Sequence, residues 1–276
     1  MNRRQLIRYT QASLLAALGT GITAKFQSYQ AQIPATKPTE EDKKIMPNDG
    51  LSVQWLGHTC FLFTGSDRTV LVNPFRPIGC TQGYRPPKAN PDFVLITSRL
   101  LDEGVTESLT GNFKLLFEPG LYQFLGKQLN GIGMEKDRGT GGRKLSPNIA
   151  WRWVQGGIDI LHLGGVASPI TLEQKILMVR PDLLLLPVGG GVKSYNPEEA
   201  KQVFLTLNPK MVIPMHYRTQ AADANTCDLV AVNEFLGLME NQKNVIIRRS
   251  DSDNITINAA NLPKDGSVIQ VLSYKF

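Results

Sequence analysis

The sequence predicts an α/β sandwich built as one domain, because two kinds of pattern follow each other along the chain. From Leu51 to about residue 163, short apolar and β-branched runs alternate with turn residues, which is typical of strands. After residue 170, helical and strand patterns alternate. Residues 93–97 (FVLIT) form a continuous apolar run, as expected of a strand buried on both faces. Sheets in both halves, with helices outside them, follow from this order.

The strands expected in the first half are short and are separated by turn residues. Gly65-Ser66-Asp67 separates two of them, and Gly156-Gly157 fits a hairpin turn between two others. The expected strands are residues 52–56, 60–63, 69–73, 93–97, 114–117, 149–154 and 158–163.

Two helices in the second half have clear signals in their first turns. Residues 171–179 open with Thr-Leu-Glu-Gln, a capping-box pattern. Asn196 provides an N-cap before Pro197 and two glutamates, so we expect a helix from here to about Leu207. A third helix is expected near residues 227–240. The strands expected among these helices are residues 182–186, 210–214, 245–248, 255–258 and 268–273.

Residues 1–24 have the pattern of an export signal. Arg3, Arg4 and Arg8 precede a weakly apolar stretch (LLAALGTGITA), and the segment has no acidic residue. The Arg3-Arg4 pair resembles a twin-arginine signal, so we expect export to the periplasm, or to the thylakoid lumen in a photosynthetic source. A basic amphipathic helix is the alternative. The stretch is shorter than a membrane span of ~20 residues, so membrane contact is expected only through this segment where it is not cleaved.

The remainder of the chain divides into a linker and a folded domain. Residues 25–50 are polar, with prolines and a charge run, and are expected to be a linker before the domain at residues 51–276. Of the chain, 42% is hydrophobic and 20% is charged, as in ordinary globular proteins. Setting aside the three arginines of the signal leaves 27 basic against 24 acidic residues. A charge of +3 is no nucleic-acid signature, and no nucleic-acid partner is expected.

Cysteines and histidines are few. The three cysteines form no CxxC pair; they are Cys60, Cys80 and Cys227. This spacing excludes a zinc knuckle. It leaves open whether Cys80 or Cys227 forms a disulfide. The count of three histidines limits any histidine-based metal site. They are His58, His162 and His216.

Several spaced stretches resemble one known family. They are residues 55–61 (WLGHTCF), 70–75 (VLVNPF), 91–97 (PDFVLIT), 181–190 (PDLLLLPVGG), 196–200 and 209–217 (PKMVIPMHY). Together they resemble the metallo-β-lactamase superfamily, in particular its ascorbate-phosphate-lactonase-like branch of zinc hydrolases. Asn73 stands where that family usually has Asp. The resemblance covers about residues 51–220 and implies an αββα four-layer sandwich of the metallo-β-lactamase type, with its site at the C-terminal ends of strands.

The resemblance also implies a metal site whose usual ligands are largely missing. The family's main ligand loop reads Thr-His-x-His-x-Asp-His, whereas residues 97–103 here read TSRLLDE. Asp102 therefore matches, while Ser98, Leu100 and Glu103 replace histidines. A further ligand position aligns loosely with Lys136-Asp137.

Two later ligand motifs are kept in part. His162 is retained, but Gly165 stands where the bridging aspartate of the His-x-Gly-Asp motif belongs. His216, in the Pro-Met-His-Tyr motif, is intact. The resemblance therefore implies that His216 and Asp102 are the surviving ligands, which is fewer than zinc usually requires.

The sequence leaves three functions open. We expect first an exported member with an eroded metal site that binds a small anionic ligand or a protein partner, without hydrolysis and without a cofactor. The second is a metal-dependent hydrolase with an atypical site, in which His216 and Asp102 bind zinc or another divalent cation. The third is a structural scaffold that acts through its surface.

Basic residues near the former metal site would suit an anion. Arg99, Lys136, Arg138, Arg143 and Arg218 are expected to gather there. The residues expected to line the pocket are His58, Ser98, Arg99, Glu103, Lys136, Asp137, Arg143, His162, Tyr217 and Arg218.

Metal-free chemistry is a weaker alternative. Ser98, His216 and Asp102 contain the residue types of a hydrolytic triad. Cys60, two residues after His58, would share a strand face with it. The plainer interpretation is a lost ligand at Ser98, a core cysteine, a turn-stabilising His58 and a buried, hydrogen-bonded His162.

Overall fold

Two β-sheets form the centre of the computed structural model, which describes residues 50–135 and 147–276. These residues belong to one compact unit, Met46–Phe276. The α/β prediction is confirmed: within the described residues the fold has two sheets and few helices. The predicted export signal at residues 1–24 and nearly all of the linker at residues 25–50 lie outside the described residues.

The first sheet has six strands among the described residues, in the order β13-β1-β2-β3-β4-β5. These strands are β1 (Leu51–Gly57), β2 (Cys60–Gly65), β3 (Arg68–Val72), β4 (Phe93–Leu95), β5 (Lys114–Leu116) and β13 (Asn254–Ile257). In β1, every second side chain is buried, starting with Leu51, Val53 and Trp55. This alternation packs one face of the strand into the core.

The second sheet has eight strands in the described part of the chain, in the order β12-β14-β11-β10-β9-β8-β7-β6. They are β6 (Gly120–Phe124), β7 (Lys127–Met134), β8 (Asn148–Gln155), β9 (Ile158–His162), β10 (Leu183–Pro187), β11 (Met211–Met215), β12 (Val245–Arg249) and β14 (Ser267–Val271). Every residue of β10 and β11 is buried, and β9, β10 and β11 run parallel. Their C-terminal ends therefore meet at one edge of the core.

Three α-helices are seen in the described residues, and all lie between β9 and β12 along the chain. They are α1 (Leu172–Met178), α2 (Pro197–Leu207) and α3 (Val232–Met239). The predicted capping boxes are present, with Thr171 accepting from Gln174 N and Asn196 accepting from Glu199 N. No helix in the described residues is both long and apolar enough to cross a membrane.

The secondary structure differs from the sequence predictions at two places. The third helix begins at Val232 and not near Cys227, because Cys227 is disulfide-bonded and Val230 N donates to Gly189 O. The hairpin of β6 and β7 was not expected, since its polar, glycine-rich sequence has little strand signal. Its turn uses Leu125 and Gly126, both with positive φ.

Candidate functional site

Three strand ends bring the two histidines His58 and His216 and the carboxylate of Glu103 together. His58 follows β1, His216 follows β11, and Glu103 lies in the loop after β4. All three are buried, and one ligand atom of each lies within 4.8 Å of the others. The imidazole centroids are 4.2 Å apart, and His216 Nδ1 is 3.9 Å from Glu103 Oε1.

The backbone at both histidines has an uncommon conformation. His58 has φ 53° and His216 has φ 54°, in the left-handed region that few residues other than glycine adopt. The His58 carbonyl accepts hydrogen bonds from the Trp55 indole (3.1 Å) and from His216 N (3.3 Å). The turn is therefore held through the His58 backbone, while its imidazole faces His216 and Asp102. The predicted turn role falls to the main chain and not to the side chain.

In the described part of the chain, two neighbours of Glu103 help to set its position. Ser98 Oγ donates to Glu103 Oε2, so Ser98 orients the carboxylate. A β-carbon on Gly165 would lie 1.9 Å from Glu103 Oε1. The absence of a side chain at Gly165 thus makes the room that the Glu103 carboxylate fills.

This donor set fits one divalent metal ion. Two imidazoles and one carboxylate are the protein ligands of catalytic zinc in several hydrolases, and they suit other divalent ions. The second group of nearby donors, Cys80, Cys227 and Asp228, does not fit a metal in this state, because the two sulfurs form a disulfide.

Asp102, predicted as a ligand, is instead paired with Lys193. Lys193 Nζ donates to Asp102 Oδ2, which also lies 3.9 Å from His58 Nε2. Burial and the Glu103 carboxylate raise the pKa of Asp102, but Lys193 and His58 lower it by more, so it lies below its usual range. Burial lowers the pKa of Lys193, but Glu103 and Asp102 raise it by more. Both groups are therefore charged at neutral pH.

A cavity of about 260 Å³ opens beside the cluster. His58, His216, Asp102 and Lys193 line one part of it. Cys80 also lines the cavity, and its disulfide to Cys227 joins segments 147 residues apart in sequence. The cavity is a size suited to a small substrate.

Other predicted pocket residues lie elsewhere. Arg99 does not line the cavity described above: its side chain is 68% exposed, lies over the Phe117 ring and is 3.9 Å from Glu118. Tyr217 does not line it either, and its buried ring packs against Trp55 with the ring centroids 5.5 Å apart. Arg218 N donates to Val230 O, which places its backbone beside the disulfide-bearing segment. Lys136, Asp137, Arg138 and Arg143 lie outside the described residues.

His162 lies in the core behind the cluster. Its Nε2 is 3.0 Å from Thr59 O, and its Nδ1 accepts from Gly164 N at 3.1 Å. Burial lowers its pKa to about 4, so the ring is neutral at pH 7. His162 therefore holds two loops together and is not part of the group of donors.

The structure does not form either metal-free arrangement. Ser98 Oγ donates to Glu103 and not to His216, so no triad is formed by Ser98, His216 and Asp102. Cys60 is fully buried, and burial raises the pKa of its thiol well above the ordinary value. A reactive thiolate needs the opposite shift.

Sequence reasoning missed Lys193 and the pairing of Cys80 with Cys227. Lys193 follows the glycine run 189–191, whose composition indicates a turn and no particular chemistry. Its place after β10, parallel to and paired with β11, was a usable signal, because loops after adjacent parallel strands share one edge.

Comparisons with known proteins identify the family and the fold. The model of the β-lactamase superfamily domain matches residues 52–216. A metal-dependent hydrolase of Methanoculleus marisnigri is 28% identical over 196 residues, which are 61% of this chain and 82% of that protein. One of Methanoregula boonei is 28% identical over 204 residues, 63% of this chain and 87% of that protein.

A solved structure gives the same assignment. A Thermotoga maritima protein, described as a Zn-dependent hydrolase of the metallo-β-lactamase superfamily, superposes with a TM-score of 0.62 at 26% identity. The match covers 80% of this chain and 98% of that one. Because the family model spans more than half of the sequence, this chain belongs to the β-lactamase superfamily domain family.

Proposed function

We propose that this protein is a hydrolase that depends on one divalent metal ion bound by His58, Glu103 and His216. The observation that carries the proposal is the convergence of these three buried side chains, with ligand atoms within 4.8 Å of one another. The relatives named metal-dependent hydrolases support it over the non-hydrolytic ligand-binding function expected first from the sequence. Membership of the ascorbate-phosphate-lactonase-like branch stays a prediction.

The metal ligands in this proposal differ from the predicted pair. His216 is kept, Glu103 replaces Asp102, and His58 is added. Asp102 then lies one step further out and acts on the site through its charge. Its Oδ2 lies 3.9 Å from His58 Nε2, which is an ion-pair distance and longer than a hydrogen bond.

Each residue has a distinct part in the proposed reaction. A divalent ion, when bound, lowers the pKa of a water molecule and polarises the bond to be cleaved. The chain positions the ligands: Ser98 holds the Glu103 carboxylate, and the His58 carbonyl links both histidine loops. The cavity of about 260 Å³ beside the ligands is where a substrate would bind, and the low exposure of His58 and His216 there strengthens electrostatic interactions.

Metal content tests the proposal directly. Protein purified without chelator, or reloaded with zinc or manganese, is expected to hold about one ion per chain by elemental analysis. His216→Ala and Glu103→Gln should each lose it, together with hydrolysis of a lactone, ester and phosphodiester panel. His162→Gln is the matched control, because it removes a buried histidine outside the group. A wild-type protein that binds no ion after reloading would instead support the ligand-binding function.

We also propose that the protein acts outside the cytoplasm. The Cys80–Cys227 disulfide supports this, because structural disulfides are typical of oxidising compartments. The Arg3-Arg4 pair supports the twin-arginine route. Changing both arginines to lysine should leave the protein in the cytoplasm. Normal export of that double variant would indicate the general secretory route.

A further inference from the structure

A cationic side chain, that of Lys193, lies beside the three candidate metal ligands. Lys193, in the loop after β10, donates from Nζ to Asp102 Oδ2, and that oxygen is 3.9 Å from His58 Nε2. The Lys193 side chain is 23% exposed and the Asp102 side chain 17%, so both are mostly withdrawn from water. An ion pair in this setting interacts more strongly than one on the surface.

Among the residues that the structure describes, the charges around the cavity favour a lysine there. Glu103 and Asp102 are adjacent carboxylates, and Asp228 lines the same cavity. One divalent ion beside Glu103 does not by itself compensate two further carboxylates. In two-metal hydrolases a second cation, about 3.5–4 Å from the first, supplies that charge. Here the Lys193 ammonium contacts the Asp102 carboxylate, which lies next to His58.

We propose that Lys193 takes the place of a second metal ion in this site. Asp102 is neutralised by the ammonium, and the site therefore holds a single metal. Asp102 accepts one of the three N–H groups of Lys193, and the others are donors for an anionic oxygen of the substrate. The substrate class is thus a small molecule whose cleaved group, or a group next to it, develops or carries negative charge.

This inference rests on the proposed function, and metal stoichiometry separates the two. Metal-free protein is titrated with Zn²⁺ or Mn²⁺, and bound ions are counted by calorimetry and elemental analysis. The wild type should bind one ion. Lys193→Met keeps the length of the side chain but removes its charge. This variant should bind two ions, the second at least tenfold more weakly than the first. Lys193→Met with Asp102→Asn should return to one ion.

A control variant and a second Lys193 variant complete the experiment. Lys210→Met removes another lysine–aspartate pair, with Asp182 at 2.8 Å, away from the cavity, and should leave one ion. Lys193→Ala provides a second variant should Lys193→Met fold poorly, and should also bind two ions. Two ions in the wild type, or one ion in both Lys193 variants, would overturn the inference while leaving the metal-dependent function intact. No ion in the wild type would overturn both.

Discussion

The Glu103 carboxylate occupies the space that a side chain at Gly165 would fill. A β-carbon at residue 165 would lie 1.9 Å from Glu103 Oε1 and 2.8 Å from His216 Cε1. The family resemblance places a bridging aspartate at residue 165, whereas this chain has a glycine there and a carboxylate on the opposite loop. In this chain the carboxylate beside His216 therefore comes from the loop after β4 and not from residue 165.

Gly165→Ala should displace the Glu103 carboxylate and weaken metal binding at least tenfold. The added methyl group cannot coexist with Glu103 Oε1 at 1.9 Å, and the Ser98 hydrogen bond limits how far the carboxylate moves. Calorimetry measures the affinity, and circular dichroism checks the fold. Gly133→Ala is the matched control, since its new β-carbon meets only Pro119, at 3.4 Å.

A pair of substitutions that moves the carboxylate to the other loop tests the same contact in reverse. Glu103→Ala with Gly165→Asp restores a carboxylate from the other loop and should bind metal within about tenfold of the wild type. Unchanged metal affinity in Gly165→Ala would show that Glu103 is not a ligand.

Breaking the Cys80–Cys227 disulfide should reduce stability by about 3–5 kcal/mol. The bond closes a loop of 147 residues, and cross-links over long loops restrict the unfolded chain strongly. Urea unfolding of Cys80→Ser with Cys227→Ser, compared with wild type, measures the loss. Thiol reductant should destabilise the wild type and Cys60→Ala but not the double variant. A double variant as stable as the oxidised wild type would contradict the prediction.

Stability should fall as pH decreases from about 6.5 to about 4, in part through His162. Burial lowers the pKa of His162 to about 4 in the folded state, while the unfolded value is about 6.5. Between these values the unfolded chain binds a proton that the folded protein does not, so acid favours unfolding. The full contribution is about 3 kcal/mol.

Urea unfolding at pH 7, 5.5 and 4.5 measures this dependence. His162→Gln should give a shallower dependence of stability on pH than the wild type, because the titrating ring is gone. Equal slopes in the two proteins would mean that His162 titrates normally in the folded state.

Asn73→Ala should destabilise the fold by about 3 kcal/mol. The buried Asn73 amide donates to Thr59 Oγ1 and Thr97 Oγ1 and accepts from Thr97 N, so it joins the ends of three strands. Its loss leaves buried polar groups without partners. Asn233→Ala, which removes an exposed amide that accepts from Arg249, should cost less than about 1 kcal/mol. Chemical denaturation compares the two, and similar losses would contradict the structural role of Asn73.

Most strands and helices could be read from local patterns. The capping boxes at Thr171 and Asn196 and the apolar strand β10 are local signals, because helix caps and buried strands need particular residues at short spacing. The β6–β7 hairpin could not be read in this way. Its pairing with β8 stabilises residues such as Gly131 and Gly133 that have little strand preference alone.

The same distinction between local pattern and tertiary contact applies to the residues of the site. By itself, the sequence predicted that His216 follows a buried strand, and it shows that residues 97–103 contain Asp102 and no histidine. Only the tertiary structure decided that Glu103 joins the histidines, that Asp102 pairs with Lys193 and that Cys80 bonds to Cys227. These partners are distant in sequence, and irregular loops orient their side chains. Packing of one loop against another, as at Gly165, selects which carboxylate enters the site, and no local pattern encodes that contact.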